Sequence, residues 1–503
     1  MTAKRNSRRS GIVLGAIAFL CLTMSPVSAG EIEDRIQKLE AEQRANADEL
    51  ARLKSEQMEL RKEATEAAAA LPEFTYRPRR GLLIEAADKS WGLRTFARWH
   101  YRMMFWPDKT GVASSGFSQG DIALRRWRWG FNPQWQDGFY QLDFEMDGGA
   151  DRSIIIQKGE FEAHFEKLNP YLPTFAMGLR TSAFFSRHDT NWGSSTGGLF
   201  DRSMFQDGAG VGAGSQNNAA GLFWDDVPLG PGTFLLQAIY SNQGLINAAD
   251  LERPNSDNRA AHAAFNIQPF SKLKIKWLRG IDFGASYHLD QLGDEEKGCL
   301  ATDPTPLTPG GGDCNSANFF RVRTTERQRL ALIELRRNAM GQRHLVMPHF
   351  GWRIGPYWLR TSGGWNKGEQ ANGRGVEGWM WRVAHELFVW SPKGFLTGST
   401  TTPRSVMFFT GFERDNYRAA DNGLRNCAGG APGAGLNVSP CKSAYAYNAN
   451  GGFWYFIRPG LRVGAEYSFY HVNKIGRGAD DIGKARGSAV DFHSIDLGIT
   501  FDF

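Results

Sequence analysis

From about residue 74 onward, apolar and polar residues alternate along short runs that are separated by polar, glycine-rich segments. In the run 93–105, the side chains at every second position are apolar, with Thr95 the single polar exception, and oppose a row formed by Arg94, Arg98, His100 and Arg102. Such a period of two is typical of a β-strand with two unlike faces. The run therefore predicts a strand that carries charge on one face and aromatic side chains on the other.

The same alternation recurs in several other runs. They are "IALRRWRWGF", "GFYQLDFEMDGG", "GEFEAHFEKL", "GLRVGAEYSFYHV" and the last ten residues, "SIDLGITFDF". A secreted all-β protein would pack the apolar faces into a dry core. In a membrane barrel these faces meet lipid and the charged faces line water. Because the apolar face of the last run extends to Phe503, the membrane barrel is the favoured interpretation.

The segment 31–66 has a different pattern, rich in Ala, Glu, Lys, Arg and Leu with a seven-residue apolar repeat. The apolar a and d positions are Ile32, Ile36, Leu39, Leu50, Leu53 and Leu60. A lone helix cannot bury such a seam, so the segment predicts a self-associating coiled coil. A charged single helix or a disordered tail is the alternative. Pro72 is expected to end the helix.

The first residues resemble a secretory signal, with a basic start, a short apolar run at 11–22 and a small-residue site at Val27–Ala29. We expect cleavage after Ala29, and no later run approaches the length of a spanning helix. The predicted organisation is a signal peptide at 1–29, a periplasmic coiled-coil segment at 30–71 and an outer-membrane β-barrel at 72–503. At roughly 25–30 residues per strand with its share of turn and loop, about 16 antiparallel strands fit, a size that encloses an aqueous channel.

Four cysteines follow the expected cleavage site, and each pair brackets a Gly/Pro-rich segment. Two local disulfides, Cys299–Cys314 and Cys427–Cys441, are the interpretation that suits an oxidising compartment. A metal site would need closer spacing and nearby histidines, and no cofactor is expected. The formal net charge of +6 gives only a weak preference for anionic partners, and no feature indicates nucleic-acid binding.

Arginines on the polar strand faces are the candidate functional residues, because Arg keeps its charge and presents forked donors to anions. The candidates from the pattern are Arg94, Arg98, Arg102, Arg126, Arg128, Arg321 and Arg323, the last two in a run that continues to Arg327 and Arg329. The alternative for each one is an ion pair with a wall carboxylate, for which Asp143, Glu145, Glu160, Glu162 and Glu166 are available.

Several segments together resemble the phosphate-selective porin O and P family of Gram-negative outer membranes. They are the coiled-coil stub, "FTYRPRRGLLIEAADKSWGLRTFARWHYR", "DIALRRWRWGFNPQWQDGFYQLDFEMDGG", "FAMGLRTSAFF", "FDRSMFQDGAGVG" and the terminal phenylalanine. The resemblance is spread over most of the chain and is weakest at 245–400.

The resemblance implies a homotrimer of 16-stranded barrels whose pores are narrowed by inward loops and lined by Arg and Lys. It also implies that Arg180 and Arg202 lie near the constriction. Small anions such as phosphate would then be the permeating solutes, although phosphate selectivity belongs only to some members of the family.

Enzyme signatures are weak. "GSSTG" at 193–197 matches the G-x-S-x-G pattern but lacks a preceding strand and a following helix. "AHELF" lacks the second histidine of a zinc protease, and "DGAGVGAGSQ" follows no strand of the dinucleotide-binding type. We therefore expect an outer-membrane porin and not an enzyme. The alternatives are a general or organic-solute porin, a barrel lipase or protease, and a barrel that tethers the envelope through a coiled coil bound to the cell wall.

Overall fold

The computed structural model describes residues 29–77, 81–105, 120–149, 152–181, 216–241, 259–292, 321–323, 331–334, 339–370, 375–419, 443–474 and 489–503. Two compact units are present, residues Met1–Leu71 and Pro72–Phe503. The described part of the first unit is a helix, and the second unit is built almost entirely from β-strands.

The helix α1 spans Ala29–Ala70, or 42 residues, and extends beyond the predicted 31–66 at both ends. Its apolar seam is open to solvent, because Ile36, Leu39, Leu50, Leu53 and Leu60 are between 50% and 60% exposed. Such a seam becomes buried when two or more helices associate in a coiled coil. Within the described residues, no helix combines the length and the apolar character needed to cross a membrane.

The strands follow one another along the second unit with few other elements between them. They are β1 Glu73–Arg77, β2 Gly81–Glu85, β3 Trp91–Phe105, β4 Gly120–Trp135, β5 Tyr140–Gly149, β6 Arg152–His164, β7 Thr174–Thr181, β8 Gln216–Leu229, β9 Gly232–Ser241, β10 Arg259–Gln268, β11 Ile281–Leu292, β12 Arg321–Arg323, β13 Ala331–Glu334, β14 Ala339–Ile354, β15 Tyr357–Gln370, β16 Gly375–Ser391, β17 Gly394–Phe395, β18 Ser405–Ala419, β19 Ser443–Arg458, β20 Leu461–Val472 and β21 Val490–Asp502. A 3-10 helix, η1 Phe165–Lys167, and a short α-helix, α2 Lys276–Arg279, lie in two of the connections.

Sixteen of these strands form a closed antiparallel barrel, which confirms the predicted fold class. They are β3 to β11, β14 to β16 and β18 to β21, each paired with its neighbour in this order. The last strand returns to the first, since β21 pairs antiparallel with β3 from Ile495↔Phe105 to Asp502↔Arg98. Closure leaves no free sheet edge, which is the condition for a sheet to span a bilayer.

The short hairpin β1–β2 completes the edge of β3 beyond the end of β21. The backbone N–H of Phe503 donates to the Ala97 carbonyl at 2.8 Å, and β2 pairs with β3 from Leu82↔Thr95 onward. At this junction Gly81 has a φ of +80°, and an added Cβ would lie 1.9 Å from the Thr95 carbonyl oxygen. Only glycine therefore fits where the chain enters the edge of β3.

The two faces of the barrel strands differ as the alternation predicts. On β21, Ile495, Leu497 and Ile499 are between 39% and 48% exposed, whereas Asp496 is fully buried. On this strand the outer face is therefore apolar and the inner face polar, the arrangement expected of a barrel strand in lipid.

The described connections between barrel strands are short and all lie at one end, which we call the turn end. They are 136–139, 165–173, 230–231, 269–280, 355–356, 392–404 and 459–460. We call the opposite ends of the barrel strands the loop end. Between β11 and β14 in the chain, β12 pairs with β13 as a separate two-stranded sheet, and β13 lies against β19.

Candidate functional site: the inner wall of the barrel

Arginines and carboxylates on β3 and β21 meet across the seam where the barrel closes. Arg98 Nε donates to Asp502 Oδ1 at 3.0 Å. Arg102 forms a two-point pair with Asp496, through Nε at 3.0 Å and through an Nη at 2.7 Å. Arg102 and Asp496 are 2% and 0% exposed, so this pair is sealed inside the wall.

A second group continues the ion pairs from β4 to β5. Arg128 contacts Glu145 at 2.8 Å and Asp147 at 3.2 Å. The strand register brings them together, because Arg128 is the Cα partner of Asp147 and Gly130 that of Glu145. One arginine therefore bridges two carboxylates that lie two residues apart on the same face of β5.

Lys158 on β6 is the centre of a third group. Its ammonium contacts Asp143, and it lies 3.6 Å from Glu160 and 3.9 Å from Glu162. We call the inner faces of β3 to β6 and their β21 partners the charged wall. Some of its side chains retain contact with solvent, with Arg98 and Lys158 each 24% exposed, whereas Arg102, Asp496 and Glu160 are buried.

Arg94 differs from the other described arginines of the charged wall. Its Cα partner on β4 is Asn132, and its side chain is partly exposed. Within the described part of the chain no carboxylate pairs with it. Its charge is therefore the least compensated among the described arginine side chains of this wall.

The remaining arginine candidates are placed only in part. The backbone of Arg126 pairs with His100 and that of Arg180 with Asn217, but their side chains are outside the description. Arg321 and Arg323 lie on β12, which belongs to the separate two-stranded sheet and not to the barrel wall. Arg202, Arg327, Arg329 and all four cysteines lie outside the described residues, so the disulfides stay a prediction.

The sequence pattern suggested ion-pair partners for the arginines, but it identified only some of the partners that the structure shows. Glu145 does pair with Arg128, as the pattern allowed. Asp496 and Asp502 were missed as partners, although both stand on the polar face of the last run. Closure of the barrel was the available signal, because it places the last strand beside the first.

Further ion pairs lie on strands whose sequence pattern gave no indication of them. Arg360 on β15 contacts Glu386 on β16 at 3.2 Å. Arg382 on β16 contacts Glu413 on β18 at 3.4 Å. These side chains are at most 6% exposed, so both pairs act as internal structure.

Near the turn end, the inner faces of β16, β18 and β19 are apolar, and we call this cluster the packed wall. Its members are Ala384, Phe388, Met407, Phe409, Trp454 and Phe456. Trp454 and Met407 are fully buried, and the Arg462 guanidinium lies 4.2 Å from the centroid of the Trp454 ring. This part of the interior is packed like the core of a soluble protein.

The weak enzyme signatures acquire no supporting geometry where the structure describes them. His385 points outward and lies 2.6 Å from the Tyr357 hydroxyl, whereas Glu386 points inward to Arg360. The two residues of "AHELF" therefore cannot share a ligand. Among the described residues no three His, Cys, Asp or Glu side chains are grouped to hold a metal ion.

Comparison with solved structures returns outer-membrane barrels. An outer-membrane protein of Vibrio cholerae, OmpT, covers 82% of this chain at 11% identity and a TM-score of 0.48, with 100% of its own length matched. An anion-selective porin from Comamonas acidovorans covers 82% at 9% identity and a TM-score of 0.45, with 100% of its own length matched. The channel DcaP of Acinetobacter baumannii covers 82% at 10% identity and a TM-score of 0.45, with 98% of its own length matched.

No protein-family model and no curated protein sequence matches the chain. The resemblance to the phosphate-selective porin family therefore rests on the sequence segments quoted above. The closed barrel itself rests on the strand pairing of this chain, from β3 round to β21.

Proposed function

We propose that the chain is an outer-membrane porin that lets small solutes diffuse through the lumen of its barrel. The observation that carries the proposal is the closed sixteen-stranded barrel in which β3 to β6 and β21 turn charged side chains inward and mainly apolar side chains outward. Passive permeation needs a water-filled passage and a field, and no reacting group. The charged wall, with Arg98 and Lys158 partly exposed, supplies the polar lining.

For selectivity, we infer a weak bias toward anions and no strict requirement for phosphate. Arg98, Arg102 and Arg128 are paired with carboxylates, which reduces the field that each contributes to the lumen. Arg94 remains the described residue best placed to attract an anion. Arg126, Arg180, Arg202, Arg321 and Arg323 stay candidates for the same pathway.

The test is the purified chain in a planar lipid bilayer. Stepwise conductance in KCl, with a reversal potential that indicates a modest preference for chloride, is the expected result. Adding phosphate should reduce chloride current only at concentrations far above those of a specific binding site. Absence of single-channel steps from correctly folded, heat-modifiable protein would contradict the porin proposal.

We also propose a homotrimer whose N-terminal helices associate in the periplasm, because the α1 seam is exposed in the single chain. Leu39, Leu50 and Leu53 are more than half exposed, and a parallel bundle would bury them. Light scattering in mild detergent should give a trimer for the full chain. A tethering role is the second candidate, and pull-down with cell-wall sacculi by α1 separates it from simple self-association.

A further inference from the structure

The outer face of β18 changes character along its length. From the turn end, its outward side chains are first mainly apolar, with Val406, Phe408 and Phe412 beside the single Thr410, and then polar, with Arg414, Asn416 and Arg418. Both arginines lie toward the loop end, where a lipid-facing surface gives way to the headgroup region. A cation on the lipid face is tolerated far better at that depth than at the bilayer centre.

Lys367 on β15 joins these two arginines to form what we call the outer cationic patch. Lys367 is the Cα partner of Glu377, and Glu377 is the Cα partner of Arg418. With strands about 4.8 Å apart, the backbones of Lys367 and Arg418 lie roughly 10 Å from each other. Arg414 and Arg418, four residues apart on one face, lie about 13 Å apart along the strand.

The contacts of Arg414 hold its guanidinium in place, and Glu377, in register between Lys367 and Arg418, leaves the patch and this carboxylate together with two net positive charges. Arg414 Nε donates to Asn416 Oδ1 at 3.1 Å, and its guanidinium lies 4.9 Å from the centroid of the Tyr445 ring. The nearest carboxylate in register, Glu377, accepts a hydrogen bond from Trp365 Nε1 at 2.8 Å. Among the described residues no carboxylate forms an ion pair with a member of the patch.

Aromatic side chains surround the patch at the same level of the barrel. Trp379 is the Cα partner of Asn416, and Trp381 is the Cα partner of Arg414. They are 57% and 42% exposed, respectively. Exposed tryptophans beside cations are typical of the depth where lipid headgroups begin. Arginine is well suited to phosphate at such a site because its fork can hold two oxygens.

We propose that the outer cationic patch binds the phosphate groups of an anionic glycolipid in the leaflet at the loop end. The proposal rests on the placement of the barrel in an outer membrane, but it does not depend on whether the lumen conducts. Cations at separate points of the patch can each contact a different phosphate of one headgroup, and the forked donors of arginine favour such contacts.

The test measures binding of fluorescently labelled lipopolysaccharide to the full chain in detergent by anisotropy. Lipopolysaccharide from which the phosphates have been removed serves as the second ligand. We expect the double variant Arg414→Gln/Arg418→Gln to bind intact lipopolysaccharide at least tenfold more weakly than the unchanged chain. The phosphate-free lipid should bind both proteins equally and weakly.

Arg458→Gln is the matched control, because Arg458 is an exposed arginine at the turn end of β19. Its affinity for lipopolysaccharide should equal that of the unchanged chain. Equal binding of intact and phosphate-free lipid, or a loss in the control as large as in the double variant, would overturn the proposal. Competition by millimolar inorganic phosphate alone would point to a free-anion site and would also overturn it. Bilayer conductance of the same variants reports separately on the porin proposal, since the patch lies outside the lumen.

Discussion

The charged wall and the packed wall are parts of one inner surface, yet their side chains meet very different surroundings. On the charged wall, Arg98 and Lys158 are each 24% exposed. On the packed wall, Trp454 and Met407 are fully buried. The contrast indicates that one part of the interior keeps charged side chains partly open to solvent, while another part is filled and serves as a core of the barrel.

The largest effect is expected on the packed wall, from Trp454→Ala. Removing a fully buried tryptophan leaves a cavity and should lower the free energy of unfolding by about 3–5 kcal/mol. Equilibrium unfolding in urea from detergent or lipid vesicles measures it. Phe453→Ala is the matched control, because Phe453 is 40% exposed on the outer face, where lipid or detergent chains can fill the space. An equal loss in the two variants would mean that the packed wall is no core.

The next effect concerns the sealed pair between Arg102 and Asp496. Asp496→Ala leaves a buried guanidinium without its carboxylate and should lower the free energy of unfolding by about 3 kcal/mol. The double variant Arg102→Met/Asp496→Ala removes both charges and should recover most of that loss, because a buried ion pair contributes little beyond its apolar replacement. The same urea unfolding measures both. If the double variant is as unstable as Asp496→Ala, the unpaired charge is not the cause.

The sequence predicts the charged wall better than the packed wall. The alternation of β3, β5 and β21 assigned their inward and outward faces, because one face of each is charged and the other apolar. In the packed wall this signal is absent. The run 453–457, "FWYFI", has apolar residues on both faces, so periodicity gives no indication that Trp454 points inward.

The candidate site was harder to predict than the fold. Strand alternation places an arginine on a face but does not identify the side chain across the strand boundary. That depends on register, which closure and the connections set. Arg98 and Arg102 were therefore assigned to the lumen without their β21 partners, and Arg360 and Arg382 were not identified at all.

A smaller effect is expected for the current through the charged wall. Arg128→Gln removes a cation, and Asp147→Asn removes the carboxylate that it contacts at 3.2 Å. At an effective dielectric near 20, one charge at about 6 Å is worth roughly 3 kcal/mol before screening. Salt and the neighbouring charges leave about a sixth to a third of that energy, or roughly a two- to fivefold change in the local ion ratio.

The two variants should move the reversal potential in a KCl gradient in opposite directions, Arg128→Gln toward cations and Asp147→Asn toward anions. Arg414→Gln, on the outer face, should leave it unchanged. Shifts of the same sign in Arg128→Gln and Asp147→Asn would show that the charged wall does not face the permeating ions.

The smallest effect on stability is expected for Arg94→Gln. It allows a paired and an unpaired arginine to be compared on the same strand, β3. Arg94 and Arg98 share the inner face of β3, but Arg98 is held by Asp502 at 3.0 Å, whereas no described carboxylate pairs with Arg94. Arg94→Gln should therefore change the free energy of unfolding by less than about 0.5 kcal/mol, as for a substitution that breaks no network. Its uncompensated charge should still attract anions, so the variant should lose about half of any anion preference in the reversal potential at low salt, where screening is weakest. Arg98→Gln should show the reverse pattern, with a larger loss of stability because Asp502 loses the hydrogen bond that it accepts from Arg98 Nε at 3.0 Å, and a smaller change in selectivity. Were Arg98→Gln to shift the reversal potential more than Arg94→Gln, pairing would not be what separates the arginines that act on solutes from those that hold the wall together.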